Sequence, residues 1–290
     1  MNTQQMLSRR GMILGGVAGL AAMSGLTGGG IAQAEVVLKK ETTPWHGLKV
    51  GCATYTFSQQ FKTAEEAIKG IQRVGLTYCS IKDVHLPFKS TTEERKATVE
   101  KFKAAGITPL SVGNITLKND EKQVREMFEY TRDVGVQVMV CAPDKAALGI
   151  CEKMVKEFDI KMAIHNHGPG DNFPSPYDVM EAVKDMDPRI GCCIDVGHTA
   201  RAGTDPAEAI EKIGPRVYDI HMKDLHHIGK KSFPIECGRG VLDLKGILAA
   251  LLKINFAGHV GFEHEKDMKD VLPGLSEDAG YIRGLLAATP

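Results

Sequence analysis

From residue 48 to residue 286 the chain alternates between two patterns of apolar residues. Short apolar runs rich in β-branched residues predict eight strands, which begin near Val50, Tyr78, Thr108, Val136, Lys161, Ile190, Val217 and His259. Longer segments between them carry apolar residues at helical spacing, as in the stripe of Ala64, Ala67, Ile68, Ile71 and Val74. Eight strand–helix units of about 30 residues each predict a single-domain, parallel (β/α)₈ barrel, or TIM barrel, over residues 48–290.

An open, doubly wound sheet is the alternative architecture for this alternation. That fold usually carries a glycine-rich phosphate-binding turn after its first strand. Here the corresponding turn reads Tyr55, Thr56, Phe57, Ser58 and contains no glycine. No linker or low-complexity tract divides the chain after residue 48, so we expect one domain.

Residues 1–34 have the pattern of an export signal. Arg9 and Arg10 precede an uncharged stretch that contains eight glycines and ends in a small-residue cleavage pattern at 32–34. A paired arginine before a weakly apolar stretch predicts a twin-arginine signal and therefore a periplasmic or otherwise exported protein. A membrane anchor is the alternative, but the cleavage pattern leads us to expect no stable anchor in the mature chain. Residues 35–47 are then an N-terminal extension.

The chain carries 36 basic and 36 acidic residues, and loss of the two arginines in the signal leaves a net charge of about −2. Since no basic cluster is present, there is no electrostatic reason to expect nucleic acid as a partner. The seven cysteines form no C-x-x-C pair and fall mostly in apolar runs. This pattern predicts small buried side chains rather than a disulfide framework.

Polar residues stand where the last four predicted strands end. Successive members are 30, 26 and 42 residues apart, and they are His165, Asp195, His221 and Glu263. The carboxyl ends of barrel strands meet at one face, which holds the active site in enzymes of this fold. Alternate residues share one face of a strand. Three more polar residues are therefore expected at the same mouth: His167, Lys223 and Glu265.

Two imidazoles and two carboxylates aimed at one point form a ligand set for Mn²⁺, Zn²⁺, Co²⁺ or a similar ion, with positions left for substrate. Each residue also has a structural explanation, since a histidine at a strand end is often only hydrogen-bonded and Asp195 could cap the following turn. Four such residues in register at successive strand ends favour a shared site. The sequence therefore predicts one divalent metal ion held by His165, Asp195, His221 and Glu263.

The motifs I-H-N-H-G, I-D-V-G-H, Y-D-I-H-M-K-D and G-F-E-H-E, in this order, resemble those of the sugar phosphate isomerase/epimerase family of xylose isomerase-like TIM barrels. The resemblance spans essentially the whole chain after residue 50. It implies a carbohydrate enzyme in which Glu, Asp, His and Glu from the last four strands hold Mn²⁺, Co²⁺, Mg²⁺ or Zn²⁺. Asp195, His221 and Glu263 match three of these positions, and His198 matches a histidine that contacts the substrate or supports the ligands.

The first ligand position departs from the family pattern, because His165 stands where the family usually has glutamate. In the family's epimerases, two carboxylates on opposite sides of a substrate carbon remove and return a proton. A metal-bound imidazole does not easily relay that proton. We therefore expect chemistry with one carboxylate base, either aldose–ketose isomerisation or elimination of a group β to a carbonyl.

Proton removal next to a carbonyl requires a base and groups that stabilise the negative charge that develops. Glu263 is the first candidate for the base, and Glu265 is the second. Lys223 and Lys82 are candidates to stabilise an enediolate or to protonate a leaving oxygen. A salt bridge with the adjacent aspartate is an equally simple explanation for either lysine.

The candidates for substrate binding are His167, His198, His85 in the loop after the second strand, and Arg239. Arg239 belongs to the long connection at residues 224–242, and loops of this length in a compact domain tend to be functional. An exposed loop arginine without a role is an equally simple interpretation of Arg239.

The first functional hypothesis is a metal-dependent isomerase or epimerase acting on a non-phosphorylated sugar, because sugar phosphates are mainly cytoplasmic. The alternative is an exported lyase that cleaves 3-keto-glycosides by β-elimination. A non-catalytic sugar-binding barrel is a third hypothesis. A DNA-repair endonuclease of the related fold is disfavoured by the near-neutral charge, the export signal and the lack of a ligand where the third strand is predicted to end, at 112–114. The expected partner is thus a small carbohydrate, with no particular oligomeric state indicated.

Overall fold

The computed structural model of the chain describes residues 44–289. The predicted export signal, and the part of the predicted N-terminal extension before residue 44, lie outside the described residues. Within the described part, no helix is both long and apolar enough to cross a membrane.

The strands of the described chain are β1 (Lys49–Ala53), β2 (Tyr78–Ile81), β3 (Thr108–Leu117), β4 (Val138–Pro143), β5 (Lys161–His165), β6 (Ile190–Asp195), β7 (Val217–Met222), β8 (Asp224–Leu225), β9 (Pro234–Ile235) and β10 (His259–Phe262). Eight of them are parallel and close into a barrel in the order β1, β10, β7, β6, β5, β4, β3, β2. The last barrel strand pairs with the first through Val50 and Val260, which leaves no free edge. The TIM barrel predicted from the alternation is confirmed, and each predicted strand begins within two residues of an observed one.

Helices follow the barrel strands and cover their outer faces. They are α1 (Ala64–Val74), α2 (Thr92–Ala104), α3 (Glu121–Val134), α4 (Leu148–Phe158), α5 (Pro176–Val183), α6 (Val196–Arg201), α7 (Pro206–Ile213), α8 (Leu244–Lys253) and α9 (Leu272–Ala287). The helix starts are encoded locally. At α1, for example, Thr63 and Glu66 form a reciprocal capping box that satisfies otherwise free backbone N–H groups. The predicted apolar stripe of α1 faces the core through Ala67 and Ile71.

The third strand is longer than the sequence predicts. The prediction that it ends at Val112-Gly113-Asn114 is wrong, because β3 continues to Leu117 and pairs again with β4 after a register shift. An added Cβ at Gly113 would lie 2.1 Å from the carbonyl oxygen of Val140, so only glycine allows the strands to approach this closely. In a sequence, a glycine within an apolar run looks like a strand end.

The long connection after β7 is organised by one carboxylate. Its two short strands, β8 and β9, form a separate antiparallel pair. The buried side chain of Asp224 accepts hydrogen bonds of 2.8–3.1 Å from the backbone N–H groups of Leu225, Gly238, Gly240 and Leu242. The segment is thus folded against the end of β7, at the face of the barrel where the polar residues converge.

Candidate metal centre

Four strand ends bring His165, Asp195, His221 and Glu263 together at the carboxyl-end mouth of the barrel. One ligand atom from each of these side chains lies within 4.8 Å of the other three. His165 and Asp195 end β5 and β6, His221 is the penultimate residue of β7, and Glu263 follows β10 directly. All four side chains are buried. The residues predicted as metal ligands from their spacing therefore form one cluster.

The two imidazoles of the cluster face each other. The Nε2 atom of His165 lies 2.8 Å from Nδ1 of His221, and the same Nδ1 lies 3.2 Å from a carboxylate oxygen of Glu263. Burial lowers the pKa of His165. Burial also opposes the charged form of His221, but Glu263, Asp219 and Asp195 outweigh it and raise its pKa to about 9. In the metal-free protein, His221 therefore carries the proton of this pair.

Asp195 uses its two carboxylate oxygens for different purposes. Its Oδ1 accepts a hydrogen bond of 2.7 Å from the backbone N–H of His198 and so caps α6. Its Oδ2 lies 3.5 Å from Nε2 of His165, inside the cluster. The capping role and the ligand role, which are alternatives in the sequence, are compatible because a carboxylate has two oxygens.

Lys223 is buried among three carboxylates. Its Nζ lies 2.8 Å from Glu263, 2.9 Å from Asp195 and 3.2 Å from Glu265. The predicted alternative, a salt bridge with the adjacent Asp224, is not the arrangement that the structure contains, because the Asp224 carboxylate binds backbone N–H groups. The ammonium group instead compensates the negative charge that a cluster of buried carboxylates would otherwise carry.

The two glutamates after β10 have opposite electrostatic environments. Burial alone would raise the pKa of Glu263, but the positive charges of His221 and Lys223 hold it well below its usual value. Burial raises the pKa of Glu265, and the negative charge of Glu263 adds to this effect against the attraction of Lys223. Glu263 is thus held as a carboxylate, whereas Glu265 takes up a proton more readily.

A cavity of about 520 Å³ opens above the cluster. Most of its lining is polar, and the lining residues include Tyr55, Lys82, Asn114, Lys118, His165, His167, Asp171, Asn172, His198, Glu263 and Glu265. Of the predicted substrate-binding residues, His167 and His198 border this space. Polar groups that line a cavity fix the orientation of a bound molecule.

The two histidines that border the cavity are each held by a neighbour. The Nη1 atom of Arg201 lies 3.1 Å from Nδ1 of His198, and the Nδ2 atom of Asn114 lies 3.2 Å from Nε2 of His167. Burial lowers the pKa of both His198 and His167 to about 4. Both rings are therefore neutral at pH 7 and present hydrogen-bonding groups rather than charges.

Lys82 borders the cavity and is also tied to the protein. Its Nζ donates a hydrogen bond of 2.6 Å to the backbone carbonyl of Asn114 and lies 3.3 Å from the carboxylate of Asp83. The salt bridge weighed as an alternative for this residue is thus present. It does not remove Lys82 from the cavity, where the side chain remains partly exposed.

The other two predicted substrate-binding residues are not among those that line the cavity. His85 is buried, and its ring nitrogens lie 3.0 Å from the hydroxyl of Thr54 and 3.1 Å from the carbonyl of Phe61. Arg239 forms an exposed salt bridge with Glu277 of α9. The structure brings neither residue to the cluster, and their role in substrate binding stays a prediction.

Several residues at the cavity were not singled out in the sequence. Tyr55 lies two residues after the end of β1, a position that in a barrel belongs to the mouth, and its pKa is raised by burial and by Glu265. Asn114 lies inside β3 rather than at its apparent end. Lys118, Asp171 and Asn172 lie in connecting segments, whose course could not be deduced from strand alternation.

The cluster fits a divalent metal ion by the chemistry of its donors. Two nitrogens and two carboxylate oxygens converge in a buried position at the floor of a polar cavity, and borderline and hard divalent ions accept such mixed sets. The 2.8 Å contact between the two imidazole nitrogens is a hydrogen bond, and a metal ion bound by both rings would displace its proton. The arrangement is consistent with a divalent metal centre.

The sequence profile of the xylose isomerase-like TIM barrel family matches residues 75–285. Among solved structures, the IOLI protein with a bound zinc atom gives a TM-score of 0.69 at 17% identity over 83% of this chain and 99% of that chain. L-ribulose 3-epimerase gives 0.68 at 14% identity over 83% and 95% of the two chains. The 3-keto-D-glucoside 4-epimerase from E. coli gives 0.66 at 14% identity over 82% and 99%. No curated protein matches the sequence at a significant level.

Proposed function

Because the chain belongs to the xylose isomerase-like TIM barrel family, we propose that it is a metal-dependent enzyme that moves a proton next to the carbonyl of a non-phosphorylated sugar or sugar derivative. The observation that carries this proposal is the convergence of His165, Asp195, His221 and Glu263 in one cluster, two members of which, His165 and Glu263, border a polar cavity. Solved structures of similar fold include sugar epimerases, which supports a sugar isomerase- or epimerase-like activity.

These four side chains would hold the metal. When bound, a divalent ion polarises a substrate carbonyl and its neighbouring oxygen, which lowers the pKa of the C–H bond between them. The cluster is consistent with Mn²⁺, Co²⁺, Zn²⁺ or Mg²⁺, and one of the solved structures of similar fold binds zinc. The buried donors are positioned before binding, so the chain spends little energy on ordering them.

A glutamate after β10 would remove the proton. Glu263 is ionised and is the first candidate, since it borders the cavity while it contacts His221. Glu265 borders the same cavity, is more exposed and accepts a proton more readily, so it is the second candidate. Lys223 contacts both glutamates and would offset negative charge that develops as the proton moves.

His165 limits the reaction to one carboxylate side. In this chain an imidazole occupies the position from which a second carboxylate would act on the opposite face of the substrate carbon. Isomerisation on one face needs one base only, as does elimination. We therefore favour these two reactions over two-base epimerisation.

A second candidate reaction is the cleavage of 3-keto-glycosides by β-elimination. The base would take the proton from the carbon next to the 3-keto group, a carbon–carbon double bond would form, and the glycosidic oxygen would leave with a proton. The cavity of about 520 Å³ leaves space beyond a single sugar ring. One of the proteins with a solved structure of similar fold is a 3-keto-D-glucoside 4-epimerase. A sugar-binding barrel without catalysis is the third and least favoured candidate.

The proposed setting is outside the cytoplasm. Residues 1–34 would direct export through the twin-arginine route, and the mature chain would carry no membrane anchor. A free or glycosidic sugar would be the partner, and the near-neutral charge gives no reason to propose nucleic acid.

The test is to incubate the metal-loaded protein with a panel of free aldoses and ketoses and with 3-keto-glucosides, and to separate the products by chromatography. Interconversion of a free aldose and ketose supports the isomerase, whereas release of the aglycone from the 3-keto-glucosides alone would contradict it and support the lyase. Glu263→Gln should lose the activity, and Glu277→Gln, a change on exposed α9, should keep it. Sugar binding without turnover in the unmodified protein would leave only the non-catalytic barrel.

A further inference from the structure

Cys193 lies inside the barrel beside the metal cluster. It is two residues before Asp195 on β6, so both side chains lie on the same face of the strand, and its register partner on β5 is His165. The Sγ of Cys193 and one nitrogen each of His165 and His221 lie within 4.8 Å of one another. In the part of the chain that the structure describes, no other cysteine belongs to such a group of ligand atoms.

We propose that Cys193 is an additional ligand of the metal centre, and that its thiolate binds soft and borderline ions. This inference rests on the proposed function to the extent that a metal occupies the cluster. His165 and His221 belong to both ligand sets, whereas Asp195 and Glu263 belong to one and Cys193 to the other. Zinc and cobalt would be held by the two histidines together with the thiolate, and manganese and magnesium by the two histidines together with the carboxylates.

The side chain of Cys193 belongs to a small buried apolar cluster with Val140, Ala163 and Tyr218. His165 also has a buried Nδ1 without a hydrogen-bond partner among the described residues, while its Nε2 faces His221. A metal-bound histidine usually has a partner for its second nitrogen. In His165, Nδ1 is therefore the nitrogen that the described residues leave without a partner.

The adjacent cysteine provides a matched comparison. Cys192 is equally buried, but alternation along β6 directs it to the other face of the strand, where its Sγ lies 3.7 Å from the carbonyl oxygen of Pro176. The two residues share the strand, the burial and the chemical type. They differ in whether the sulfur lies with His165 and His221.

Coordination by Cys193 requires only the loss of the thiol proton. The thiol S–H bond breaks, the sulfur keeps the electron pair and donates it to the ion, and the proton is released to solvent. No oxidant or reductant is needed. Metal selectivity is the expected consequence, because thiolate favours zinc and cobalt over manganese and magnesium.

The test is titration of the mature protein with Co²⁺, followed by near-ultraviolet absorption, for the unmodified chain, Cys193→Ser and Cys192→Ser. We expect a thiolate-to-cobalt charge-transfer band in the unmodified protein and in Cys192→Ser, and none in Cys193→Ser. Zinc affinity should fall by about ten-fold or more in Cys193→Ser, while manganese affinity changes by no more than about two-fold.

Cobalt that binds one-to-one to the unmodified chain without the band would overturn the role of Cys193 and leave the proposed function standing. A protein that binds no divalent ion at all would overturn both. Should Cys193→Ser fail to fold, Cys193→Ala provides the same comparison with a side chain that suits an apolar surrounding. The spectrum of the unmodified protein decides the presence of the thiolate without any variant.

Discussion

The Nε2 atom of His165 lies 2.8 Å from the Nδ1 atom of His221, and the pKa of His221 is raised to about 9 while that of His165 is lowered. At pH 7.5 the metal-free cluster therefore holds a proton on His221, and a metal ion must displace it, because only a neutral imidazole binds metal. We predict that binding of Mn²⁺ releases about one proton at this pH. Affinity for Mn²⁺ should rise with pH by up to ten-fold per unit until it levels off near pH 9.

Calorimetric titration in buffers of different ionisation enthalpy measures this proton directly. A binding enthalpy that does not vary with the buffer would contradict the protonation of His221 in the metal-free protein. His221→Ala should bind the ion far more weakly, so the titration also identifies the site.

In the metal-free protein, the ammonium group of Lys223 supplies part of the positive charge that a metal ion would bring to the cluster. Its ammonium lies within 3.2 Å of Asp195, Glu263 and Glu265. Lys223→Met removes this positive charge from buried carboxylates, and we expect it to lower the free energy of unfolding of the metal-free protein by about 3 kcal/mol. A divalent ion should restore part of that loss, because it supplies positive charge at the same carboxylates.

Urea unfolding with and without Mn²⁺ measures both effects. Lys212→Met is the matched control, because Lys212 pairs with Glu208 on the exposed face of α7 and its loss should leave the free energy of unfolding nearly unchanged. If Lys223→Met lowers the free energy of unfolding equally with and without the ion, then the ion does not compensate for the lost lysine charge, which contradicts this account.

Arg201 determines which ring nitrogen of His198 carries the proton. A guanidinium can only donate hydrogen bonds, so Nδ1 of His198, 3.1 Å away, must accept, and the neutral ring carries its hydrogen on Nε2. Arg201 also binds the side chain and the backbone of Ser232, which ties it to the long loop after β7. We predict a single Nε2–H tautomer for His198.

Nitrogen-15 NMR of the histidine side chains distinguishes the two tautomers. Arg201→Lys retains a donor and should keep the Nε2–H form, whereas Arg201→Met should allow the other tautomer to appear. Observation of Nδ1–H as the main form in the unmodified protein would show that Arg201 does not hold the ring in this way.

Asp224 stabilises the loop that follows β7. Its carboxylate accepts four backbone hydrogen bonds, and an amide in its place would direct a donor towards N–H groups. We expect Asp224→Asn to lower the free energy of unfolding by about 2 kcal/mol and to speed amide exchange at Gly238, Gly240 and Leu242. Hydrogen exchange followed by mass spectrometry is the measurement, and unchanged exchange in this segment would refute the assignment. Asp243→Asn, at the cap of α8, is the control and should affect exchange only there.

The regular part of the fold could be predicted from the sequence because a barrel repeats one rule. Strand–helix alternation located each barrel strand, and the residues at the ends of the last four strands came together as the fold requires. The prediction failed where a residue departs from that rule. Gly113 interrupts an apolar run without ending β3, because it allows close approach to Val140 rather than a turn.

Residues held by side-chain contacts could not be predicted in the same way. The carboxylate of Asp195 serves as cap and as cluster member, and a sequence does not distinguish its two oxygens. Lys223 bridges carboxylates of two other strands rather than pairing with its neighbour. Cys193 stands two residues before Asp195, so alternation places it on the same face of β6, but the sequence does not indicate how closely its sulfur approaches His165 and His221.

The central claim is that His165, Asp195, His221 and Glu263 hold a metal that makes a substrate C–H bond next to a carbonyl labile. The most direct measurement is proton NMR of a converted sugar in D₂O, with metal-loaded and metal-free protein. The account predicts that the hydrogen next to the carbonyl is lost or transferred only with the metal-loaded protein, and not with His221→Ala. Equal rates with and without the ion would contradict it.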